Sequence, residues 1–251
     1  MFERVVCGID GSPQSFEALR QVERLRLANS KLHLVTVAEL SLAVHGGFAA
    51  PGLYDRLLTD AESALARAGE HSAATSSRLI EGGPAQVLLQ EIERCDATAV
   101  AVGSHGHSRA AGILLGGTTT ILLHEAPCSV LVTRQPASLS GFPSSITVGI
   151  DGSISSVHAL AVAHELGRRF AASVRVLAAT GGKPVDFDGL RGIEELDWDE
   201  QRPVEALVAA SRATDLVVLG SRGLHGVSAL GSVSERVAHG AASSVLVVRA
   251  L

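Results

Sequence analysis

The chain contains the same pattern twice. "VVCGIDGSPQSFEAL" at 5–19 returns as "ITVGIDGSISSVHAL" at 146–160, "AVAVGSHG" at 99–106 as "LVVLGSRG" at 216–223, and "HEAPCSVLVT" at 124–133 as "HGAASSVLVV" at 239–248. Three matches in one order mean two copies of one folding unit, so any architecture must be buildable from half the chain. The 251 residues are enough for two small domains, each with its own core. Between the copies runs "RQPASLSGFPSS" at 134–145, rich in the Pro, Ser and Gly expected of a connection. The expected domains are therefore 1–135 and 146–251, with 136–145 as the linker.

Each copy alternates short β-branched runs with helical spacing. In the first, "RVVCGID", "KLHLVTVA", "SSRLIEG", "ATAVAVGS" and "CSVLVT" read as strands. Helical patterns lie between them, and Pro84 stands where a helix start favours proline. Buried strands separated by helices predict an α/β fold with a parallel sheet covered on both faces. The second copy is shorter: after "VRVLAATGG", the stretch "KPVDFDGLRGIEELDWDEQRP" leaves no room for a helix as long as "YDRLLTDAESALARAGEHS". That half is expected to keep its sheet and lose one covering helix.

Composition narrows the function classes. A net charge of −5 with no basic stripe argues against nucleic acid as a partner. No apolar run approaches the ~18 residues of a membrane span. The apolar strand pattern begins at once in "MFERVVCGID", which leaves no room for a signal peptide. Cys7, Cys95 and Cys128 are odd in number and lack metal-type spacing, which suits a reducing cytoplasm. With aromatics at only 3%, the core must be built from Ala, Val, Leu and Ile.

Two motifs per copy carry candidate chemistry. GIDGS ends each first strand, and in open α/β sheets ligands sit beyond the carboxyl ends of the strands. Asp10 and Asp151 are thus placed to accept hydrogen bonds from ribose hydroxyls. The alternative is that Asp10 or Ser12 caps the following helix. The second motif is the glycine-rich loop, "GSHGHSRAAGILLGGTTT" at 103–120 and "GSRGLHGVSALGSVSERV" at 220–237. A turn running into a helix N-terminus offers unpaired N–H groups to a phosphate, and small residues permit the approach. The alternative there is a turn that only closes the sheet. Neither G-x-G-x-x-G nor the Walker pattern follows a first strand, so dinucleotide and P-loop readings lose support.

Taken together these motifs resemble the universal stress protein family, in its tandem, two-domain form, over nearly the whole chain. The signature of its nucleotide-binding branch, G-x2-G-x9-G-[ST], is matched by Gly103, Gly106 and Gly116. The resemblance implies two tandem five-stranded parallel-sheet domains with strand order 3-2-1-4-5, the second shortened. It also implies ATP, with or without Mg2+, bound at the switch point of the sheet. By position, Gly8, Ile9 and Asp10 would border the ligand, with Asp10 on the ribose and the backbone around Val37 on the adenine edge. Gly106, Gly116, Gly117 and Thr118 would wrap the phosphates, flanked by Gly103 and Thr119. In the second copy the corresponding set is Asp151, Ala179, Gly220, Gly223, Gly231, Ser232, Val233 and Ser234.

Two departures matter. Gly117 stands where the signature asks for Ser or Thr, and the second copy has seven residues rather than nine between Gly223 and Gly231. "SVSE" at 232–235 also fits a capping box, so Ser232 reads equally as a cap or a phosphate ligand.

Histidines and cysteines are read as structural. His105, His107 and His225 lie in the loops without a third metal ligand. His124 and His239 occupy equivalent helix C-termini, where the dipole favours positive charge. Neither Cys7 nor Cys128 has a base partner.

The expected function is an adenine-nucleotide-binding regulatory module of the stress response. Its two halves would pair with each other through "CSVLVT" and "SSVLVV", a homodimer being the further option. A non-binding adaptor of the same fold and a slow ATP hydrolase are the alternatives. No catalytic residue and no metal site is assigned.

Overall fold

A computed structural model describes residues 2–39, 52–106, 115–135, 141–181, 196–221 and 231–249. It confirms the α/β class: among the described residues there are ten strands and seven helices, in the alternation the sequence implies. Contacts divide the chain into two compact units, Met1–Leu122 and Leu123–Leu251. The division falls ahead of the 136–145 segment because the fifth strand of the first repeat is hydrogen-bonded to the last strand of the second.

In the first unit the order of elements is β1 (Arg4–Gly8), α1 (Pro13–Leu25), β2 (Lys31–Ala38), α2 (Leu53–Glu70), β3 (Ser76–Glu81), α3 (Pro84–Arg94) and β4 (Ala99–Gly103). Helix α4 (Gly117–Glu125) then begins in it. The sheet order is β3-β2-β1-β4, with every pair parallel. Val5, Val6 and Cys7 in β1, and Ala99, Val100 and Ala101 in β4, are wholly buried. Each buried valine or leucine side chain contributes about 1.5–3 kcal/mol. Edge strand β3 is only half-buried, as its polar start "SSR" requires.

Helix α1 turns its apolar stripe of Ala18, Leu19, Val22 and Leu25 inward, while α2 buries only Ala64 and Ala68. Proline at the start of α3 takes the first helical position, as its missing N–H favours.

The second unit opens with the end of α4 and β5 (Ser129–Thr133). It continues through β6 (Ser145–Gly149), α5 (Ile154–Phe170), β7 (Ser173–Ala179), β8 (Leu196–Asp199), α6 (Pro203–Ala210), β9 (Leu216–Gly220), α7 (Ser232–Gly240) and β10 (Ser244–Val248). Its sheet runs β5-β10-β9-β6-β7-β8, parallel throughout except for the antiparallel β10–β5 pair, in which Leu246 faces Leu131. Read within the second repeat, this is the expected 3-2-1-4-5 order. The repeat is shortened between β7 and β8, where residues 182–195 lie outside the described residues. Phe142, inside the expected linker, is buried, and β6 begins at Ser145. Among the described residues no helix is long and apolar enough to cross a membrane.

Candidate functional site

The GIDGS turn sets the first wall of the site. Gly11 takes φ 84°, a left-handed conformation that a residue without Cβ adopts freely, and turns the chain from β1 into α1. Ser12 is the N-cap of α1: its Oγ accepts the N–H of Ser15 at 3.2 Å. Asp10 does not cap the helix itself. Its Oδ1 accepts the Ser12 N–H at 2.9 Å and the Ser12 hydroxyl at 2.6 Å, and so braces the cap. The Asp10 side chain is otherwise exposed at the carboxyl end of β1.

The second wall is the loop after β4. Gly116 N–H donates to the Ser104 carbonyl at 2.7 Å, and Thr119 Oγ1 donates to the Gly103 carbonyl at 2.9 Å. These bonds staple the two ends of the loop together and fix the start of α4 against the end of β4. As the first residues of α4, Gly117, Thr118 and Thr119 carry N–H groups with no acceptor inside the helix, and the positive end of the helix dipole lies there. Residues 107–114, and with them His107, lie outside the described residues.

The two walls enclose a cavity of about 300 Å3 at the end of β1 and β4, where the order of strands reverses. All ten first-repeat residues singled out from the sequence line it: Gly8, Ile9, Asp10, Val37, Gly103, Gly106, Gly116, Gly117, Thr118 and Thr119. The sequence reading had not assigned to it Glu39, Pro84, Leu88 and Val102, nor Val35, which also line the cavity. Val35, Leu88 and Val102 give it an apolar side, and Glu39 a second carboxylate. Their signal was weak, since each is an ordinary strand or helix residue until the fold brings it to the rim. Among the described lining residues there is no Lys or Arg, so an anion here would rely on N–H groups and hydroxyls.

The glycines of the signature do different work. A Cβ on Gly103 would lie 2.7 Å from Gln14 Cβ and 3.0 Å from its carbonyl carbon, so this glycine lets the first turn of α1 close on β4. A Cβ on Gly106 would overlap Asp10 Oδ2. Among the described residues Gly116 would make only ordinary contacts, 3.5 Å or more, and Gly117 would meet nothing within 4 Å. The described residues therefore make no steric demand for glycine at 116 and 117, the two positions at the helix start.

His105 lines the same cavity, with Nδ1 3.0 Å from Ser104 Oγ. The described residues hold no group of three or more His, Cys, Asp or Glu side chains placed to bind a metal. Burial pushes the Cys7 and Cys128 thiols up to about 12, with Glu23 adding to the effect at Cys7. Both are neutral packing groups near pH 7.

In the second repeat the first-strand turn recurs. Asp151 Oδ1 accepts from Ser153 N–H at 3.1 Å and Ser153 hydroxyl at 2.6 Å, and Ser153 caps α5. Ser234 Oγ donates to the Gly220 carbonyl at 2.9 Å, as Thr119 does to Gly103. Ala179 ends β7, where Thr180 N–H bonds Asp199. Gly223 lies outside the described residues, as does His225.

The capping-box reading of "SVSE" is corrected. The N-cap of α7 is Gly231, Ser232 is the first helical residue and exposed, and no side chain caps the helix. Half-buried Val233 follows it. Starting the helix one residue early puts Glu235 out of reach of a reciprocal cap, and it pairs with His124 Nε2 at 3.2 Å instead. His124 and His239 stand in the last turns of α4 and α7, as expected.

A doubly wound sheet with a cavity at its switch point and a glycine-rich helix start beside it defines an open α/β protein of the doubly wound class. Comparison with known proteins makes this specific. The chain belongs to the universal stress protein family, whose model matches residues 1–134 and 185–249. It is 29% identical to the universal stress protein Rv2623 of Mycobacterium tuberculosis, over 98% of this chain and 96% of that one. A solved universal stress protein from Archaeoglobus fulgidus superposes with a TM-score of 0.75 at 21% identity, covering 98% of this chain and 96% of the other. A universal stress protein solved in complex with cAMP is 28% identical over 53% of this chain and 96% of its own, with a TM-score of 0.37.

Proposed function

We propose that the first repeat binds an adenine nucleotide, ATP by preference, and that the protein acts as a nucleotide-responsive regulatory module of the stress response. One observation carries this reading. No described atom of the protein requires glycine at 116 or 117, yet these residues stand at the start of a helix that lines the same cavity as the exposed carboxylate of Asp10. Bare backbone at a helix N-terminus suits phosphate, and a carboxylate at a strand end suits a pair of ribose hydroxyls. In this reading Asp10 takes the ribose, the β2 end around Val37 meets the adenine edge, and the N–H groups of Gly117, Thr118 and Thr119 receive the phosphates. Any Mg2+ would be held chiefly by the phosphates themselves.

Regulation is favoured over turnover. An ATP hydrolase needs a base oriented at the phosphates. His105 is the imidazole of the described lining, and its Nδ1 is within hydrogen-bond distance of Ser104. The β5–β10 ladder supports pairing of the two repeats within one chain, and three free cysteines suit the cytoplasm. The test is to denature the purified full-length chain and identify released nucleotide by chromatography, with phosphate release followed in parallel. Co-purifying ATP or ADP without steady phosphate release is expected. Protein free of nucleotide that also fails to bind added ATP would favour the adaptor reading, and sustained turnover the hydrolase.

A further inference from the structure

Two arginines close the strands that join the repeats. Arg134 follows β5 and Arg249 follows β10, and because these strands run antiparallel each side chain reaches the helix that precedes the other strand. Arg249 Nη2 donates to the carbonyls of Leu123 at 2.6 Å and His124 at 3.4 Å, in the last turn of α4. Its own N–H donates to Ser129 Oγ at 3.1 Å. Arg134 repeats the arrangement on α7: Nη2 donates to Ala238 at 2.5 Å and His239 at 3.4 Å, and its N–H to Ser244 Oγ at 3.0 Å. All these residues belong to the second compact unit. The last four carbonyls of a helix have no intrahelical partner, and a cation there also meets the negative end of the dipole.

The consequence lies at the other end of α4. This helix has nine residues, short enough that a free helix of its length would be marginal in water. Its N-terminus carries Gly117, Thr118 and Thr119, the donors that line the first-repeat cavity. Among the described residues the Thr119–Gly103 bond holds its start and the Arg249 guanidinium its last carbonyls, with the His124 side chain also paired to Glu235. We propose that Arg249, a residue of the second repeat, is a positioning residue for the phosphate cradle of the first, acting through α4. This rests on the nucleotide reading of that cavity. It makes the first site dependent on the last strand of the chain, a link by which strain at the β5–β10 ladder would be felt as a change in nucleotide affinity.

The experiment uses the full-length chain with Arg249→Ala, Arg249→Lys and Arg134→Ala. ATP affinity is measured by calorimetry, and amide hydrogen exchange at Thr120–Leu123 is followed without nucleotide. Arg249→Ala is expected to speed exchange in α4 and to weaken ATP binding roughly threefold to tenfold, the scale of one partly buried charge at a helix end. Arg249→Lys, which keeps the charge but not the planar fork, should recover part of both. Arg134→Ala makes the same lesion at α7 and should speed exchange there while leaving ATP affinity and α4 exchange as in the parent. Equal loss of affinity in Arg134→Ala would reduce both arginines to general stabilisers and overturn the proposal. So would unchanged α4 exchange in Arg249→Ala. If the parent chain binds no ATP, the nucleotide reading fails, while the exchange pattern still decides whether Arg249 anchors the helix.

Discussion

The turn after the first strand is built alike in both repeats, while the segment after the fourth strand differs between them in sequence and length. Asp10 braces Ser12 at 2.9 and 2.6 Å, and Asp151 braces Ser153 at 3.1 and 2.6 Å. Gly103 makes room for Gln14, and Gly220 makes room for the backbone of Ser155. Thr119 and Ser234 tie their helices to equivalent strand carbonyls, Gly103 and Gly220. Beyond these points the copies part: Gly117 in the first corresponds to Ser232 in the second, and two residues are missing between the second and third loop glycines of the second copy. What both copies keep is what the fold needs. What differs is the surface a phosphate would touch. Two residues fewer remove up to about 7 Å of chain reach, enough to draw several backbone donors away together. Losing the hydroxyl at 117 forfeits one hydrogen bond to a charged group, about 1.5–3 kcal/mol at most. The first repeat is therefore the better nucleotide binder in this account.

The largest expected effect is at Gly106. Gly106→Ala places a methyl group onto Asp10 Oδ2 and should lower ATP affinity by about a hundredfold, on the scale of one lost charged hydrogen bond and its displaced neighbours. Calorimetry on the full chain reads this, and an unchanged affinity would remove Asp10 from the site. Next come the packing glycines. Gly103→Ala and Gly220→Ala should each destabilise by about 1–3 kcal/mol, the usual result of overpacking, as measured by urea unfolding. Comparable losses would establish the shared role, whereas a large loss in one alone would break the structural parity of the repeats.

A smaller effect is expected in acid. Glu91 is buried on α3, and burial pushes its carboxyl up. Arg94 and Arg78, with contacts of 2.8 and 2.6 Å, outweigh this and hold it below its usual range. A carboxylate lowered on folding contributes stability above its unfolded pKa, near 4.3, which is lost as pH falls through the folded value. The melting temperature of Glu91→Gln should therefore depend less steeply on pH between about 5 and 3 than that of the parent chain. Equal slopes would show that this network does not set the acid limb. The smallest effect is a gain. No described atom lies within 4 Å of a Cβ at Gly117, so Gly117→Ser should fit without strain and tighten ATP binding about twofold to fivefold by restoring a hydroxyl. Weaker binding would mean that the ligand needs the bare backbone there.

Local pattern made much of this legible in advance. The run "KLHLVTVA" is β2 to the residue, and Pro84 opens α3, because both signals are contained in a few neighbouring side chains. Of the ten cavity-lining residues singled out in the first repeat, Gly103, Gly106, Gly116, Gly117, Thr118 and Thr119 were reachable through the glycine-rich loop, Gly8, Ile9 and Asp10 through GIDGS, and Val37 through the family resemblance. Three things were not. The start of α7 fell on Gly231 rather than Ser232, and Glu235 found its partner in His124, far away in sequence. Gly103 is marked by the signature, but its packing role shows only when α1 is seen to close on it. Arg134 and Arg249 each follow an apolar strand with nothing to mark them, since the carbonyls they hold belong to the other repeat.

The unequal-site account is tested most directly by titrating ATP into the full-length chain, its Asp10→Ala variant and its Asp151→Ala variant, with melting temperatures measured alongside. Both substitutions remove the same brace on a capping serine, so both should lower stability by similar amounts, about 1 kcal/mol. Only Asp10→Ala should weaken the tighter ATP site, by about tenfold or more, the worth of one hydrogen bond to a charged group. Unchanged affinity in Asp10→Ala, or an equal loss in Asp151→Ala, would contradict the account.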